Sequence, residues 1–393
     1  MPGSVIVAGA RTPIGKLQGA LTPFSAAELG GFAIRAALER AGVAADEVDY
    51  VLMGQVLLAG AGQLPARQAA VHAGLPLSVP SGIVNKVCLS GLNAIMQADQ
   101  LIAMGDADIV VAGGMESMTN APYLLPDARG GMRLGDKSVI DSMMFDGLTC
   151  ALDHVSMGLS TERHGQVAGI SRAAQDEYSA MSHERAANAI KDGRFAEEIV
   201  AVSIPQRKGD PLTFDTDEGV RPGTTAESLG GLRPSFDKAG TITAGNASQI
   251  SDGASAVVMM SRERAASLGV QPLGEVMSYG MVAGPDTSLL PQPANAILKA
   301  LKKLGLSVGD LAVLEMNEAF ASVAIASSAV LGVSTDNVNV NGGAIALGHP
   351  IGASGNRVAL TLLHELRRRG GGYGAAALCG GGGQGDALIV RSL

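Results

Sequence analysis

Cys88 lies in the stretch Val84-Asn85-Lys86-Val87-Cys88-Leu89-Ser90-Gly91-Leu92-Asn93-Ala94-Ile95 and is one of three cysteines in the chain. Just after it, Leu92, Ile95, Met96, Asp99 and Ile102 recur at helical spacing, and Gly105 closes the run. Cys88 therefore sits at or just before a helix N-terminus. Free backbone N–H groups and the helix dipole favour a thiolate over a thiol there, and a thiolate is the better nucleophile at neutral pH. The plainer reading is a small buried hydrophobe, the commoner fate of a free cysteine. A catalytic cysteine also needs a base from elsewhere in the chain.

Three later stretches could supply one. Asn317-Glu318-Ala319-Phe320 stands at a strand-to-helix junction. Asn341-Gly342-Gly343-Ala344-Ile345-Ala346-Leu347-Gly348-His349-Pro350-Ile351-Gly352-Ala353-Ser354-Gly355 holds a histidine among glycines, and Cys379-Gly380-Gly381-Gly382-Gly383-Gln384-Gly385 holds a second cysteine. Each also has a plain structural reading, since glycine loops turn corners and a lone histidine is often a satisfied core residue. The last stretch lacks Gly-Lys-Ser/Thr, which argues against a phosphate loop. Neither glycine stretch suits a dinucleotide fingerprint. His349 has no second histidine at metal-ligand spacing.

The elements that must position these residues alternate. Strands are expected at 4–9, Asp49–Met53 and Asp108–Gly114, with helices at roughly 25–41, capped by Ser25 and stopped at Gly42, and after Cys88. Such alternation implies a mostly parallel sheet covered on both faces. From 121 to 245 the rhythm stops, apart from one helix from Ser171 through Lys191, and the segment reads as an inserted, loop-rich domain. Its basic residues, among them Arg207, Lys208, Arg221, Arg233 and Lys238, suit a solvated surface or a rim for phosphates. Strands return at Ala254–Met260, Gly274–Tyr279, 312–316, Ala375–Leu378 and Ala387–Val390. Helices are expected at about 294–304, 318–331 and Asn356–Arg369. A faint repeat links the two ends. Ser90-Gly91 and Ser354-Gly355 each open a helix that leads to a strand ending in glycines, which suggests two related α/β halves whose loops meet between them.

Composition narrows the class. At 393 residues the chain exceeds one ordinary core. Its 47% hydrophobic and 17% charged residues suit a large packed interior and exclude disorder. A net charge of −8 with no basic tract argues against nucleic acid. Three cysteines without C-x-x-C pairs argue against a disulfide framework and for a reducing compartment. The expectation is a cytoplasmic protein with no leader, since the first residues run straight into a strand. No apolar run approaches 18 residues, so no membrane span is expected.

Taken together, the four stretches resemble the thiolase family, the acyl-CoA acetyltransferases, in order and spacing, and the likeness extends over essentially the whole chain. The resemblance implies an α/β thiolase fold of two duplicated halves with mixed sheets covered by helices. The N-terminal half would comprise 1–120 and 246–268, the loop domain 121–245, and the C-terminal half 269–393. It also implies roles. Cys88 would be the nucleophile and acyl carrier, His349 its base, and Cys379 the second acid/base, in a Claisen condensation of acetyl-CoA or its reversal. One oxyanion hole would be His349 with a water held by Asn317. The other would be the backbone N–H groups of Cys88 and Gly381, where glycine would let the backbone approach a thioester closely. Coenzyme A would meet Arg221, Ser228 and Ser248 in the loop domain, and Met157 and Phe320 would line the acyl cavity. No permanently bound cofactor or metal is implied; the substrates are coenzyme A thioesters. A homo-oligomer, a tetramer, is expected.

Three functions follow in order of fit: condensation of two acetyl-CoA to acetoacetyl-CoA through an acetyl-Cys88 intermediate, with the reverse thiolysis; a broader-chain 3-ketoacyl-CoA thiolase; and a scaffold on the same fold without catalysis. The last would be expected to lack part of the set Cys88, Asn317, His349 and Cys379, which this chain keeps whole. Ser156 and the segment Gly284–Pro291 depart from the short-chain pattern near where the acyl chain should lie. Cys150 matches no motif and reads as structural.

Overall fold

The computed structural model describes residues 4–392. Its main sheet runs in the order Leu311–Met316, Gly372–Gly380, Gln384–Ser392, Gly274–Ala283, Val5–Arg11, Ser251–Met260, Ile109–Ser117, Tyr50–Gly54 and Ser81–Val84. The short strand Gly15–Lys16 pairs with Ser251–Met260 beside that path.

The order contains the same four-strand unit twice. Tyr50–Gly54 lies parallel to Ile109–Ser117, which pairs antiparallel with Ser251–Met260, which pairs antiparallel with Val5–Arg11. Leu311–Met316, Gly372–Gly380, Gln384–Ser392 and Gly274–Ala283 repeat that sequence of pairings. The two units join where Val5 and Ile6 pair with Glu275 and Gly274. The duplication suggested by the short repeat is therefore present in the topology. The sheet is mixed rather than mostly parallel, because in each unit only one pair within the repeat is parallel. Alternation of strands and helices does not report the hairpin returns.

Burial alternates along the strands, as a period of two requires. Val51 and Met53 pack with Ala26–Ala41 and Pro65–Ala73 on one face, and Leu52 packs on the other. The central layer is made by the helices Ser90–Met104 and Ser354–Arg368, which contact each other and strands of both units. A further core forms under Gln292–Leu304 on the far side. Glycine sets how closely the two central helices approach. A Cβ on Gly91 would stand 2.8 Å from the backbone N of Asn356, and one on Gly355 would collide with the backbone of Leu92. Their N-termini therefore meet, and each is preceded by a reactive stretch.

Several elements differ from expectation. The helix expected from 318 begins at Ala321, because Phe320 is extended (φ −145°, ψ 153°) and bridges to Ala247. Pro65–Ala73 is a helix inside the glycine- and proline-rich segment, with Pro65 at its first position, where no N–H is needed. Ser81–Val84 is an edge strand. Between Ser117 and Ser251 the strands are only two or three residues long, and the helix Arg172–Lys191 is capped by Ser171 as the sequence indicates. Among the described residues no helix is long and apolar enough to cross a membrane.

Candidate active site

Cys88 precedes the helix that begins at Ser90 and is half-buried against Val56, Leu57, Met118 and Ile351. Its turn is strained. Val87, a β-branched residue, has φ +52°, a conformation its side chain disfavours. The Ser90 hydroxyl holds the turn by donating to the Val87 carbonyl at 2.5 Å and accepting from the Lys86 N–H at 2.8 Å. Burial pushes the Cys88 thiol up to about 12, and the nearby Glu116 carboxylate adds to the effect. Burial thus opposes the thiolate that the helix end was expected to favour. Desolvation outweighs the backbone N–H that faces the sulfur, and the resting group is a thiol.

His349 is buried and lies in a loop fixed by its own N–H, which donates to the Gln249 carbonyl at 3.0 Å. Its Nδ1 is 2.6 Å from Ser354 Oγ, and that hydroxyl donates to the Pro350 carbonyl at 3.0 Å. Ser354 therefore accepts from Nδ1–H, and Nε2 carries the lone pair. Asn317 Nδ2 points at that Nε2 from 3.3 Å. Burial, with a smaller contribution from Arg357, lowers the imidazole to about 3, so His349 is neutral and able to take a proton.

Asn317 is fully buried at the end of Leu311–Met316, its N–H donating to the Ala377 carbonyl at 2.9 Å. The next residue anchors the loop. The Glu318 carboxylate accepts from Tyr178, Ser182, Asn339 and the Ile345 N–H at 2.7–3.1 Å. Cys379, buried one residue before the end of Gly372–Gly380, packs with Phe320, Leu289 and Leu290. Burial raises its thiol well above the ordinary range, and Cys88 lies close enough that its charge would raise it further.

Protein atoms crowd two glycines near Gly381. A Cβ on Gly380 would stand 2.7 Å from the Leu89 side chain, and one on Gly383 (φ +71°) would collide with the Asp286 backbone. A Cβ on Gly381 would meet only Val87 and Met157, at 3.6 to 3.9 Å. The space at Gly381 is thus open.

A cavity of about 460 Å³ is lined by His349, Met157, Phe320, Ser248 and Arg221, all singled out in the sequence, and by Ser156. Phe320 packs edge-to-face on Phe236 with centroids 6.2 Å apart. Ser156 also caps Met157–Val167 by accepting from the Leu159 N–H at 3.2 Å. Leu289 and Leu290, from the divergent segment, pack with Phe320 and Met157. Ser228 lies outside this lining, and its hydroxyl is committed to a capping box with Thr225. Cys150 is buried away from any motif.

Sequence reasoning missed Lys16, which joins Arg221 as a cation on the lining, along with Ser354, Glu318 and Glu116. Glu116 is fully buried and accepts from the N–H groups of Val56, Leu57 and Gly352 at 2.9–3.1 Å. Burial raises it to about 7. A glutamate inside the apolar-flanked run 109–117 was the available signal, since buried carboxylates need several donors.

Models of the "Thiolase, N-terminal domain" and the "Thiolase, C-terminal domain" match residues 4–263 and 270–392. The chain belongs to the thiolase family. A protein of Mycolicibacterium smegmatis described as "Probable acetyl-CoA acetyltransferase" is 59% identical over 98% of this chain and 100% of its own length. An "Acetyl-CoA acetyltransferase" of Cupriavidus necator is 52% identical over the full length of both. The crystal structure of the Bacillus anthracis acetyl-CoA acetyltransferase superposes with a TM-score of 0.97 at 40% identity, covering 100% of this chain and 99% of that one.

Proposed function

We propose that this chain is an acetyl-CoA C-acetyltransferase that condenses two acetyl-CoA to acetoacetyl-CoA and CoA, and runs the reverse thiolysis, by a ping-pong route through acetyl-Cys88. The observation that carries the reading is His349 on the wall of the cavity, its Nδ1 held by Ser354 and its Nε2 beside Asn317, together with the two cysteines whose stretches approach each other. The full-length relatives named for this activity support it.

In the first half-reaction His349 Nε2 takes the Cys88 proton as the sulfur attacks the thioester carbonyl, and the departing CoA sulfur receives that proton. The backbone N–H groups of Cys88 and Gly381 receive the oxyanion. In the second, His349 takes the Cys379 proton, and the resulting thiolate takes a proton from the methyl carbon of another acetyl-CoA. The carbanion attacks the acetyl carbon, and Cys88 leaves as a thiolate that takes the proton held on His349. His349 with an Asn317-held water would face the enolate oxygen. Arg221 and Lys16 would meet the phosphates of coenzyme A, Ser248 the pantetheine, and Met157 and Phe320 the acyl group. We place the nucleophile half at 1–120 with 246–268, the loop domain at 121–245 and the other half at 269–393. The loop domain exposes Tyr123, Leu134 and Phe145, which suits assembly as a homotetramer.

Intact mass after mixing with acetyl-CoA tests the role split. Wild type and Cys379→Ala should each gain one acetyl group, and Cys88→Ala none. An unmodified wild type, or a modified Cys88→Ala, would overturn the assignment. Comparing kcat/KM for thiolysis of acetoacetyl-CoA and a medium-chain 3-ketoacyl-CoA tests the chain length, and comparable values would replace the short-chain reading with the broader one.

A further inference from the structure

Among the described residues, one ionic contact ties the nucleophile turn to the second cysteine's hairpin. Lys86 Nζ lies 2.7 and 2.8 Å from the two carboxylate oxygens of Asp386. The Asp386 side chain is 0% exposed and that of Lys86 is 24% exposed. Asn93, one turn into the Cys88 helix, also reaches Asp386 at 3.4 Å. Lys86 stands two residues before Cys88. Asp386 stands opposite Leu378 in the hairpin, one pair along from Cys379 opposite Gly385. The contact thus spans 300 residues of chain and joins the two halves where their cysteines converge.

The hairpin itself is held in register by the ladders to Leu311–Met316 and Gly274–Ala283. Between the hairpin and the Cys88 turn the packing is apolar, with Leu89 close beside Gly380. Such packing excludes water but does not by itself fix the turn against the hairpin. A two-oxygen contact to a fully buried carboxylate does fix it, since sliding would strand a buried charge. The Val87 turn is strained and must be held from outside. Lys86 is the residue beside it with a strong external tie.

We propose that the Lys86–Asp386 pair is a positioning device that sets the distance between the acyl group on Cys88 and the sulfur of Cys379, and so governs carbon–carbon bond formation and cleavage. The pair works mechanically and touches no reacting atom. The inference rests on the acyl-transfer reading of the two cysteines given above.

Single-turnover measurements test it. Enzyme is first acetylated with acetyl-CoA and desalted, and the acetyl-Cys88 fraction is counted by intact mass. Fresh acetyl-CoA is then added and the first turnover of acetoacetyl-CoA is followed per acetylated site, so that unfolded molecules do not contribute. In Lys86→Met the acetylated fraction should still form, and its condensation should slow about ten- to hundredfold, the scale of a displacement near 1 Å. Lys86→Arg, which can also meet a carboxylate with two bonds, should recover most of the rate. Lys86→Met/Asp386→Leu removes the unpaired buried charge and safeguards folding; its condensation should stay slow. The brace is overturned if Lys86→Met condenses at the wild-type rate per acetylated site, or if the double variant regains the full rate. A wild type that forms no acetyl adduct would instead sink the acyl-transfer reading itself.

Discussion

Asn317 Nδ2 stands 3.3 Å from His349 Nε2, while Oδ1 of the same amide is buried without a partner among the described residues. A buried, unpaired amide oxygen is costly. Its position beside a neutral imidazole makes it an acceptor available to a water or a substrate hydrogen. Asn317→Ala should lower kcat for thiolysis about 10²- to 10³-fold, the usual loss of one preorganised oxyanion contact. A loss under threefold would remove the amide from the mechanism.

The same pair bears on pH. With His349 held near 3 by burial and Arg357, the imidazole stays neutral through the range in which an ordinary histidine titrates. The kcat/KM profile should therefore lack an acid limb centred near 6.5. A rate profile between pH 5 and 8 that halves near 6.5, and loses that feature in a His349 variant, would contradict the buried neutral base.

Cys88 should behave as a thiol when no substrate is present. Its alkylation by iodoacetamide should keep rising through pH 9, because burial moves its ionisation toward 12. A plateau already reached at pH 7.5 would show that the helix end wins after all.

Deeper in the core, Glu315 faces Arg357 at 3.6 Å, and neither carboxylate oxygen has a hydrogen-bond partner among the described residues. Burial raises Glu315 from 4.5 to about 8 despite Arg357. Between those values the folded protein holds more protons than the unfolded chain, so this group's contribution to stability falls as pH rises through the window. Glu315→Gln should flatten the decline in Tm between pH 5.5 and 8.5 by about 2 °C or more. An unchanged slope, measured by calorimetry, would mean that the carboxylate is ionised throughout.

Leu134 is 99% exposed, and Tyr123 is 69% exposed on the same stretch of chain. Leu134→Asp should reduce the sedimenting mass from that of the proposed tetramer while leaving the far-ultraviolet circular dichroism unchanged. A variant that sediments as wild type would place the contacts between subunits elsewhere.

Much of this site was legible because its motifs are contiguous. The stretches around Cys88, Asn317, His349 and Cys379 could be read directly, and Ser25, Gly42 and Ser171 marked helix ends through local capping chemistry. What could not be read depends on distance across the chain. Desolvation of Cys88 arises from Val56, Met118 and Ile351, and no local signal competes with the helix dipole until those residues are in place. Glu116 and Glu318 are ordinary glutamates in sequence, and they become anchors only when donors from remote loops converge on them. At Gly381 the expectation was room for a thioester, not crowding by the chain itself. The crowding falls at Gly380 and Gly383, set by Leu89 and Asp286 from other segments.

The doubled sheet gives the strands and central helix of one unit counterparts in the other. Cys379 sits opposite Gly385, one residue from the end of a nine-residue strand; Glu116 sits opposite Gly253, one residue from the end of the equivalent nine-residue strand. Cys88 precedes its 15-residue helix by two residues, and Gly352 precedes the matching 15-residue helix by two. The Glu116–Gly352 contact is therefore the mirror counterpart of the approach between Cys379 and Cys88. A symmetric pair of identical chains would have to make both crossings reactive or both inert. Within one chain that constraint does not hold, and the two crossings carry different residues: two cysteines at one, a glutamate and a glycine at the other. The two counterpart positions can then diverge independently, and a change at one need not be matched at the other.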